Sequence, residues 1–385
     1  MLEQVKIINI NSIDKCTIDF KKGNYQYNME NVIGNVVNPI AIYGHNGSGK
    51  SSFLDAIKQF IIFMINPVER IVPFVVNNIN FEKYLNSNEK DDSLVTGSIE
   101  LTFKIEDTSY KYFLAVSRVL GIKEEYLLKN NKDYFSRKDK LYQYKNKKDK
   151  ISTNDSIFVL LVRILASKEI SDSTIQTVYA YLSSFVHVDL QFISRGGFVT
   201  SKLFDNTNIF DLLVRKSNDV KKILQEFQKF PNYTVQKSKV LPGNLATINE
   251  YTVEIEDDDN YKVKLPFQMI STGMRNSSIL LSLILSLPHN GVIFIDDLEM
   301  ALHPSTIKDL IKQVQKLKIQ LVFSSHNTNI LEYLRPDQVY FAKRKKGFST
   351  LMRLSEIYPN IRQVNNIEKM YLNSVFDEQI DNYVK

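Results

Sequence analysis

The chain has 385 residues, 43% hydrophobic and 24% charged, with 49 Lys and Arg against 43 Asp and Glu for a formal net charge of +6. That length exceeds the usual size of one compact domain, and the composition is that of a folded chain, which excludes disordered and collagen-like classes. The single cysteine, Cys16, excludes an intramolecular disulfide, Glu3 and Lys6 interrupt any signal-like apolar run, and the apolar stretches 60–65 and 279–287 are too short to span a bilayer. A cytoplasmic location with no membrane partner is expected.

In chain order, residues 1–20 carry β-branched runs of strand character, and a further run precedes Pro39. At 40–43 a short apolar run, Ile-Ala-Ile-Tyr, ends in Gly44-His45-Asn46-Gly47-Ser48-Gly49-Lys50-Ser51, which matches G-x-x-x-x-G-K-[ST]. A segment with helical apolar spacing, starting at Ser52, follows at once and is expected to break at Pro67 and Pro73. Strand, glycine loop and helix are the context in which this motif binds a nucleoside triphosphate. Gly44, Gly47 and Gly49 let backbone N–H groups turn toward phosphate oxygens, where a Cβ is expected to clash. Lys50 supplies a point charge for the β- and γ-phosphates, and the Ser51 hydroxyl is a ligand for Mg²⁺. ATP and Mg²⁺ are therefore the expected ligands.

From 96 to 144 the pattern changes to period two, reading as strands joined by turns at Asp107-Thr108 and Gly121. Residues 132–150 hold eight Lys and Arg against three Asp, interleaved with Tyr134, Phe135, Tyr142 and Tyr144. Basic residues with aromatics suit nucleic acid through phosphate contact and stacking, although a solvated hairpin is the preferred reading. Residues 154–230 read as mostly helical with a break at Gly196-Gly197, and strands return at 233–240, 247–255 and 261–265. The acidic run 257–260 is read as a solvated turn.

Ser271-Thr272-Gly273-Met274-Arg275 opens a long apolar helix, and such a turn offers N–H groups to a phosphate. Gly291 to Ile295 reads as a buried strand ending in Asp296-Asp297. Asp296 at the carboxyl end of a strand beside the P-loop suits Mg²⁺ held through water. Asp297 follows, where the base that positions the attacking water is expected, with Glu299 two residues on. A further buried strand, 319–325, ends at His326, placed to hydrogen-bond the γ-phosphate. The tail offers a strand pair at 338–342 and 349–354 around a basic turn, 343–346, then a helix.

Taken together, the P-loop, the Ser-x-Gly helix, DDLEMALHP and SSHNTNIL resemble the ABC-like ATPases of the OLD, RloA and abortive-infection class, relatives of SMC and RecF proteins. LRPDQVYFAKRKKGFSTLMRLSE and NNIEKMYL resemble that class's C-terminal signature. The likeness covers both ends of the chain and the middle in outline. It implies an α/β P-loop NTPase, an ABC/SMC-like head with an antiparallel β subdomain and an inserted helical lobe. The expected divisions are 1–95 and 233–385 for the two parts of the ATPase core, 96–150 for the β subdomain and 151–232 for the lobe. By the same resemblance Gly44, His45, Asn46, Gly47, Ser48, Gly49, Lys50, Ser51 and Ser52 hold the nucleotide, Ser51 and Asp296 serve the metal, and His326 senses the γ-phosphate. Ser271 and Gly273 are implied to act in trans, across a head-to-tail dimer or higher oligomer that sandwiches ATP. Two departures stand out. Asp297 occupies the place where the class usually has Glu, so slow hydrolysis is expected with Glu299 as a substitute, and Met274-Arg275-Asn276 diverges from the usual signature.

The function implied is an ATPase subunit of an anti-phage defence system acting with a separate effector, such as a nuclease. The alternative is a DNA-repair or chromosome-handling ATPase of RecF/SMC type, with 132–150 as its nucleic-acid surface. No TOPRIM-like acidic set, His-Asn-His site or Arg-x-x-x-x-His pair is present, so a nuclease within the same chain is disfavoured.

Overall fold

The computed structural model describes residues 1–65, 96–117, 121–168, 171–190, 198–204, 208–226, 232–240, 248–256, 261–300, 302 and 304–383. The breaks expected at Pro67, Pro73 and Gly196-Gly197 and the turn at 257–260 lie outside these residues.

β1 (Leu2–Ile10) and β2 (Ile13–Asp19) form an antiparallel hairpin turning at Asn11-Ser12, with Asn11 in the left-handed region at φ 53°. Asn tolerates that conformation because its short amide hydrogen-bonds locally. After the short pair β3 (Val32–Ile33) and β4 (Val36–Val37), β5 (Ile40–Tyr43) is buried at every position and leads through the P-loop into α1 (Lys50–Ile65). An antiparallel meander follows: β6 (Thr96–Ile105), β7 (Thr108–Ser117), β8 (Gly121–Lys129), β9 (Lys132–Lys138), β10 (Leu141–Tyr144) and β11 (Lys147–Lys150). Period two is visible in β6, where Ile99, Leu101 and Phe103 are buried and the residues between them are not.

α2 (Ile157–Ala166) and α3 (Ser173–Ser183) pack under the meander, with Phe158 stacked on Phe135 at 6.1 Å between ring centroids and Tyr181 on Phe103 at 4.9 Å. β12 (Phe185–Asp189) and β13 (Phe198–Thr200) come next, then α4 (Ile209–Glu226). A separate antiparallel sheet holds β14 (Asn232–Val240), β15 (Ile248–Glu256) and β16 (Lys262–Pro266). The remaining elements are α5 (Thr272–Ile284), β17 (Val292–Asp296), α6 (Pro304–Lys316), β18 (Gln320–Ser324), β19 (Val339–Lys345), β20 (Phe348–Arg353), α7 (Leu354–Ile357), α8 (Ile367–Leu372) and α9 (Asp377–Tyr383).

The main sheet has 15 strands in the order β11-β10-β9-β8-β7-β6-β1-β2-β20-β19-β5-β18-β17-β12-β13. From β19 to β12 each neighbouring pair is parallel. Ile40 and Ile42 face one core layer, with α1, α2 and α3, while Ala41 and Tyr43 face the other, with α4, α5 and α6. Parallel strands buried on both faces read as continuous apolar runs, which is why β5, β17 and β18 stand out in the sequence.

One expectation is corrected here. The stretch 151–232 does not form one inserted helical lobe: α2 and α3 belong under the antiparallel meander, and β12 is a strand of the parallel core beside β17. A buried five-residue strand following a helix has no alternation to distinguish it from more helix. In the basic segment three of the four aromatics are engaged by the protein itself. Phe135 is buried, and the Tyr134 and Tyr144 hydroxyls donate to Asp172 at 2.5–2.6 Å. Asp172 in turn caps α3 by accepting from Ile175 N, and it pairs with Lys145 at 3.2 Å.

The C-terminal segment is tied to the strands before the P-loop by a buried polar network. Arg335 is fully buried and forks onto Asp337 at 2.9 and 2.8 Å, while Asp337 accepts from Gly23 N at 2.6 Å. Gln338 accepts from Asn31 Nδ2 and donates to Pro39 O at 2.7 Å, and Arg353 donates to Lys21 O at 2.6 Å. Removing one partner leaves an uncompensated buried charge, so Arg335→Ala is expected to cost about 3–5 kcal/mol, read from urea unfolding.

Burial acts to raise the Asp172 carboxyl, but the hydrogen bonds from Tyr134 and Tyr144 hold it below its ordinary 3.8. A depressed folded pKa adds stability above the unfolded value and loses it as pH falls through the folded one. Asp172→Asn is therefore expected to lower the thermal midpoint at neutral pH, and to flatten its fall below about pH 4.

Candidate functional site

Gly44, Gly47 and Gly49 adopt φ of 149°, 74° and 107°. The physical reason for each glycine differs. A Cβ at Gly44 would lie 2.5 Å from Ala342 O on β19, and one at Gly49 would lie 2.3 Å from the Ser349 side chain on β20. At Gly47 a Cβ meets nothing within 4 Å, so only the left-handed backbone requires glycine there. The chain's own strands, more than a phosphate, forbid side chains at the first and last of these positions.

His45, Asn46, Gly47 and Ser51 are exposed, whereas Ser48 and Lys50 are 5% exposed. The Lys50 ammonium donates to Gly44 O at 2.9 Å and His45 O at 3.3 Å. Burial lowers its pKa, while Asp297, Asp296 and Glu299 act in the opposite direction, which places these carboxylates in its field. The Ser48 hydroxyl is buried with no hydrogen-bond partner. An orphaned donor inside a glycine loop, beside a lysine and a helix N-terminus, fits a polyphosphate. Ser52 is turned elsewhere: its hydroxyl accepts from Ser12 Oγ at 2.9 Å, and Ser12 shares a 2.8 Å hydrogen bond with Ser349 Oγ.

β18 lies parallel between β5 and β17, so the carboxyl ends of these strands adjoin and bring Asp296 beside the P-loop. One hydroxyl joins the two aspartates. Ser324 Oγ donates to the Asp296 carboxylate and accepts from Asp297 N at 2.9 Å, with Asp297 itself at φ 50°. Glu299 reaches the end of β18, accepting from Ser325 Oγ at 2.7 Å and from the His326 backbone N–H at 2.8 Å. The His326 residue is exposed. Among the described residues no cluster of three or more His, Cys, Asp or Glu could hold a metal. Mg²⁺ is ordinarily held by one or two protein oxygens with phosphate and water, so the lack of such a cluster does not bear on a nucleotide-bound Mg²⁺.

Ser271 and Gly273 stand at the N-terminus of α5 and are exposed, with Ser271 Oγ accepting from Met274 N at 3.3 Å. A Cβ at Gly273 meets nothing within 4 Å, so the chain's own packing sets no requirement for glycine there. α5 is joined to the turn after β17 by Asn276, whose amide donates to Met300 O at 3.4 Å.

Sequence reasoning missed Ser12, Ser324 and Ser349, whose bonds link segments far apart in the chain, and His187. On β12, beside β17, His187 is 2% exposed with neither ring nitrogen hydrogen-bonded. Burial, with Lys58 nearby, pushes its pKa down to about 3, so it is a neutral imidazole.

A family model described as "AAA domain, putative AbiEii toxin, Type IV TA system" matches residues 40–332, from the P-loop strand past His326. The chain belongs to this AAA family. In fold, this AAA domain is similar to "Crystal structure of the SmcHead bound to the C-winged helix domain of ScpA", with TM-score 0.50 and 14% identity over 91% of this chain and 97% of that one. It also matches the SMC head domain from Thermotoga maritima, with TM-score 0.48 and 14% identity over 91% of this chain and 98% of that one. No curated protein matches the sequence. The protein is thus an AAA-type P-loop ATPase domain with the mixed α/β fold of SMC heads. No helix among the described residues is long and apolar enough to cross a membrane.

The glycine geometry sets a direct comparison, measured by thermal unfolding without nucleotide. Gly49→Ala is expected to destabilise by about 1–3 kcal/mol through overpacking against Ser349. Gly273→Ala is expected to leave stability unchanged or slightly raised, because Ala is the better helix former.

Proposed function

We propose that this protein is an ATP-dependent switch subunit of the OLD, RloA and abortive-infection type, closing head to tail over Mg-ATP and acting on a separate effector in anti-phage defence. The observation that carries the reading is the convergence of Lys50, Asp296, Asp297, Glu299 and the His326 backbone at the carboxyl ends of adjacent parallel strands. The P-loop from Gly44 to Ser51 grips the triphosphate, Ser48 and Lys50 supplying donors that are already buried. Ser51 and Asp296 hold Mg²⁺, which supplies charge neutralisation between the phosphates. Asp297 orients the attacking water and His326 reads the γ-phosphate. Asp297 is one methylene shorter than Glu, which makes slow turnover the expected behaviour.

Exposed Ser271 and Gly273 close the site in trans on a second copy. A phosphate oxygen can approach Gly273 closely because no side chain stands there, and the α5 dipole favours its charge. The similar SMC head is described as bound to a winged-helix domain of another protein, and an effector engaging this head from outside the ATP site is the corresponding arrangement here. The cytoplasm is the compartment that this role requires.

A second reading, a DNA-handling ATPase of RecF/SMC type, is favoured by the exposed Lys138, Lys140, Lys147, Lys148 and Lys150 on β9–β11 and the turns between. With Phe135 in the core, phosphate contacts are the main interaction that surface offers.

The test is steady-state ATP hydrolysis with mass measurement in the presence and absence of ATP. Wild type is expected to dimerise with ATP and to turn it over slowly. Lys50→Ala is expected to abolish both, Asp297→Asn to lock the dimer, and Gly273→Ala to fold normally yet fail to dimerise. ATP binding that leaves the mass unchanged in every variant would sink the head-to-tail reading.

A further inference from the structure

We infer that Glu299 is a positioning residue, a carboxylate latch that fixes Ser325 and His326 beside the nucleotide. The inference deepens the ATPase reading above and rests on it.

Both oxygens of Glu299 are engaged by consecutive residues of another segment: Oε2 by the Ser325 hydroxyl at 2.7 Å and Oε1 by the His326 N–H at 2.8 Å. The latched segment is fastened on its other side as well. Ser325 N donates to Ile42 O at 3.1 Å, the Ser325 hydroxyl accepts from Asn327 N at 2.9 Å, and Asn327 O accepts from the Tyr43 hydroxyl at 3.0 Å. Ser325 and Tyr43 are both almost wholly buried, so water does not compete for these bonds. The latch therefore spans from the turn after β17 to the last residues of β5, directly before the P-loop.

This geometry gives Glu299 a holding role. A carboxylate that grips two adjacent donors cannot swing away without releasing His326, the residue whose place depends on it. Ser324 fixes the Asp297 backbone by accepting from its N–H at 2.9 Å, on the strand that leads into the latched segment. Charge-assisted hydrogen bonds like those of Glu299 set orientation as much as energy. The sequence Asp-Asp-Leu-Glu at 296–299 thus ends in a core residue and a latch, with Leu298 fully buried between Asp297 and Glu299.

The experiment combines hydrogen exchange of the amides at 324–328 with steady-state turnover, on wild type, Glu299→Ala, Glu299→Gln and Ser325→Ala. Glu299→Ala is expected to speed exchange of the His326 amide by about tenfold or more. It should lower kcat by about tenfold or more, as misplacement does, with KM for ATP within about threefold of wild type. Glu299→Gln keeps a carbonyl acceptor and is expected to restore most of the protection and most of the rate. Ser325→Ala, which removes no charge, gives an intermediate loss that does not add to that of Glu299→Ala. Should Glu299→Gln be as inactive as Glu299→Ala while the His326 amide stays protected in both, Glu299 is the base and the latch is wrong. Exchange that responds as stated in a protein without turnover keeps the latch and removes the ATPase reading. Turnover with unaltered exchange does the reverse. Should Glu299→Ala fail to fold, Ser325→Ala with unchanged exchange and rate would overturn the proposal by itself.

Discussion

The approach of β19 and β20 to the P-loop backbone is the constraint on which the rest depends. With Ala342 O and the Ser349 side chain where a Cβ of Gly44 or Gly49 would sit, the loop can take this path only as glycine. The same two strands join the halves of the sheet: β19 pairs parallel with β5, and β20 pairs with β2, whose hairpin carries the antiparallel meander. A chain segment some 300 residues downstream of the P-loop in sequence thereby fixes its shape. The Arg335–Asp337 network holds that segment in register from below, and the shared Ser12, Ser52 and Ser349 hydroxyls hold it from the side.

Around this frame the site is organised by hydroxyls and backbone as much as by charge. Ser324 sets the spacing between Asp296 and Asp297, and Ser325 with the His326 N–H occupies Glu299. The cost of burying Lys50 outweighs the field of those three acids, which offsets it in part beside the loop carbonyls. Asp296 and Glu299 are thus placed by neutral neighbours at the end of β18, which the parallel order β5-β18-β17 brings between them and the P-loop.

The legible parts of the fold were those with a local signature. Gly44 to Ser51 specifies its own strand-loop-helix context, and the alternation at 233–240, 247–255 and 261–265 matches β14, β15 and β16 to within a residue at each end. Val292–Asp296 and Gln320–Ser324 were visible as apolar runs ending in polar groups. β12 was not, because Phe-Val-His-Val-Asp after a helix carries no period and its partner strand lies about a hundred residues on. The serines at 12, 324 and 349 were invisible for a related reason. A hydroxyl's role is set by what the topology brings to it, and nothing in its flanking residues records that. The basic segment shows the same limit from the other side, since its composition does not record that the Tyr134 and Tyr144 hydroxyls meet Asp172.

β11 closes one end of the 15-stranded sheet, and its four residues, Lys-Lys-Asp-Lys, are all exposed. A terminal strand leaves a row of unpaired backbone groups that a second chain can extend. Three ammonium groups on so short a strand repel a like strand laid against it, and their solvation resists the drying that such pairing requires. At the opposite end β13 is only three residues long, too brief to template a partner. A sheet this wide would otherwise invite polymerisation edge to edge, so the concentration of lysine at 147–150 also keeps the molecule discrete.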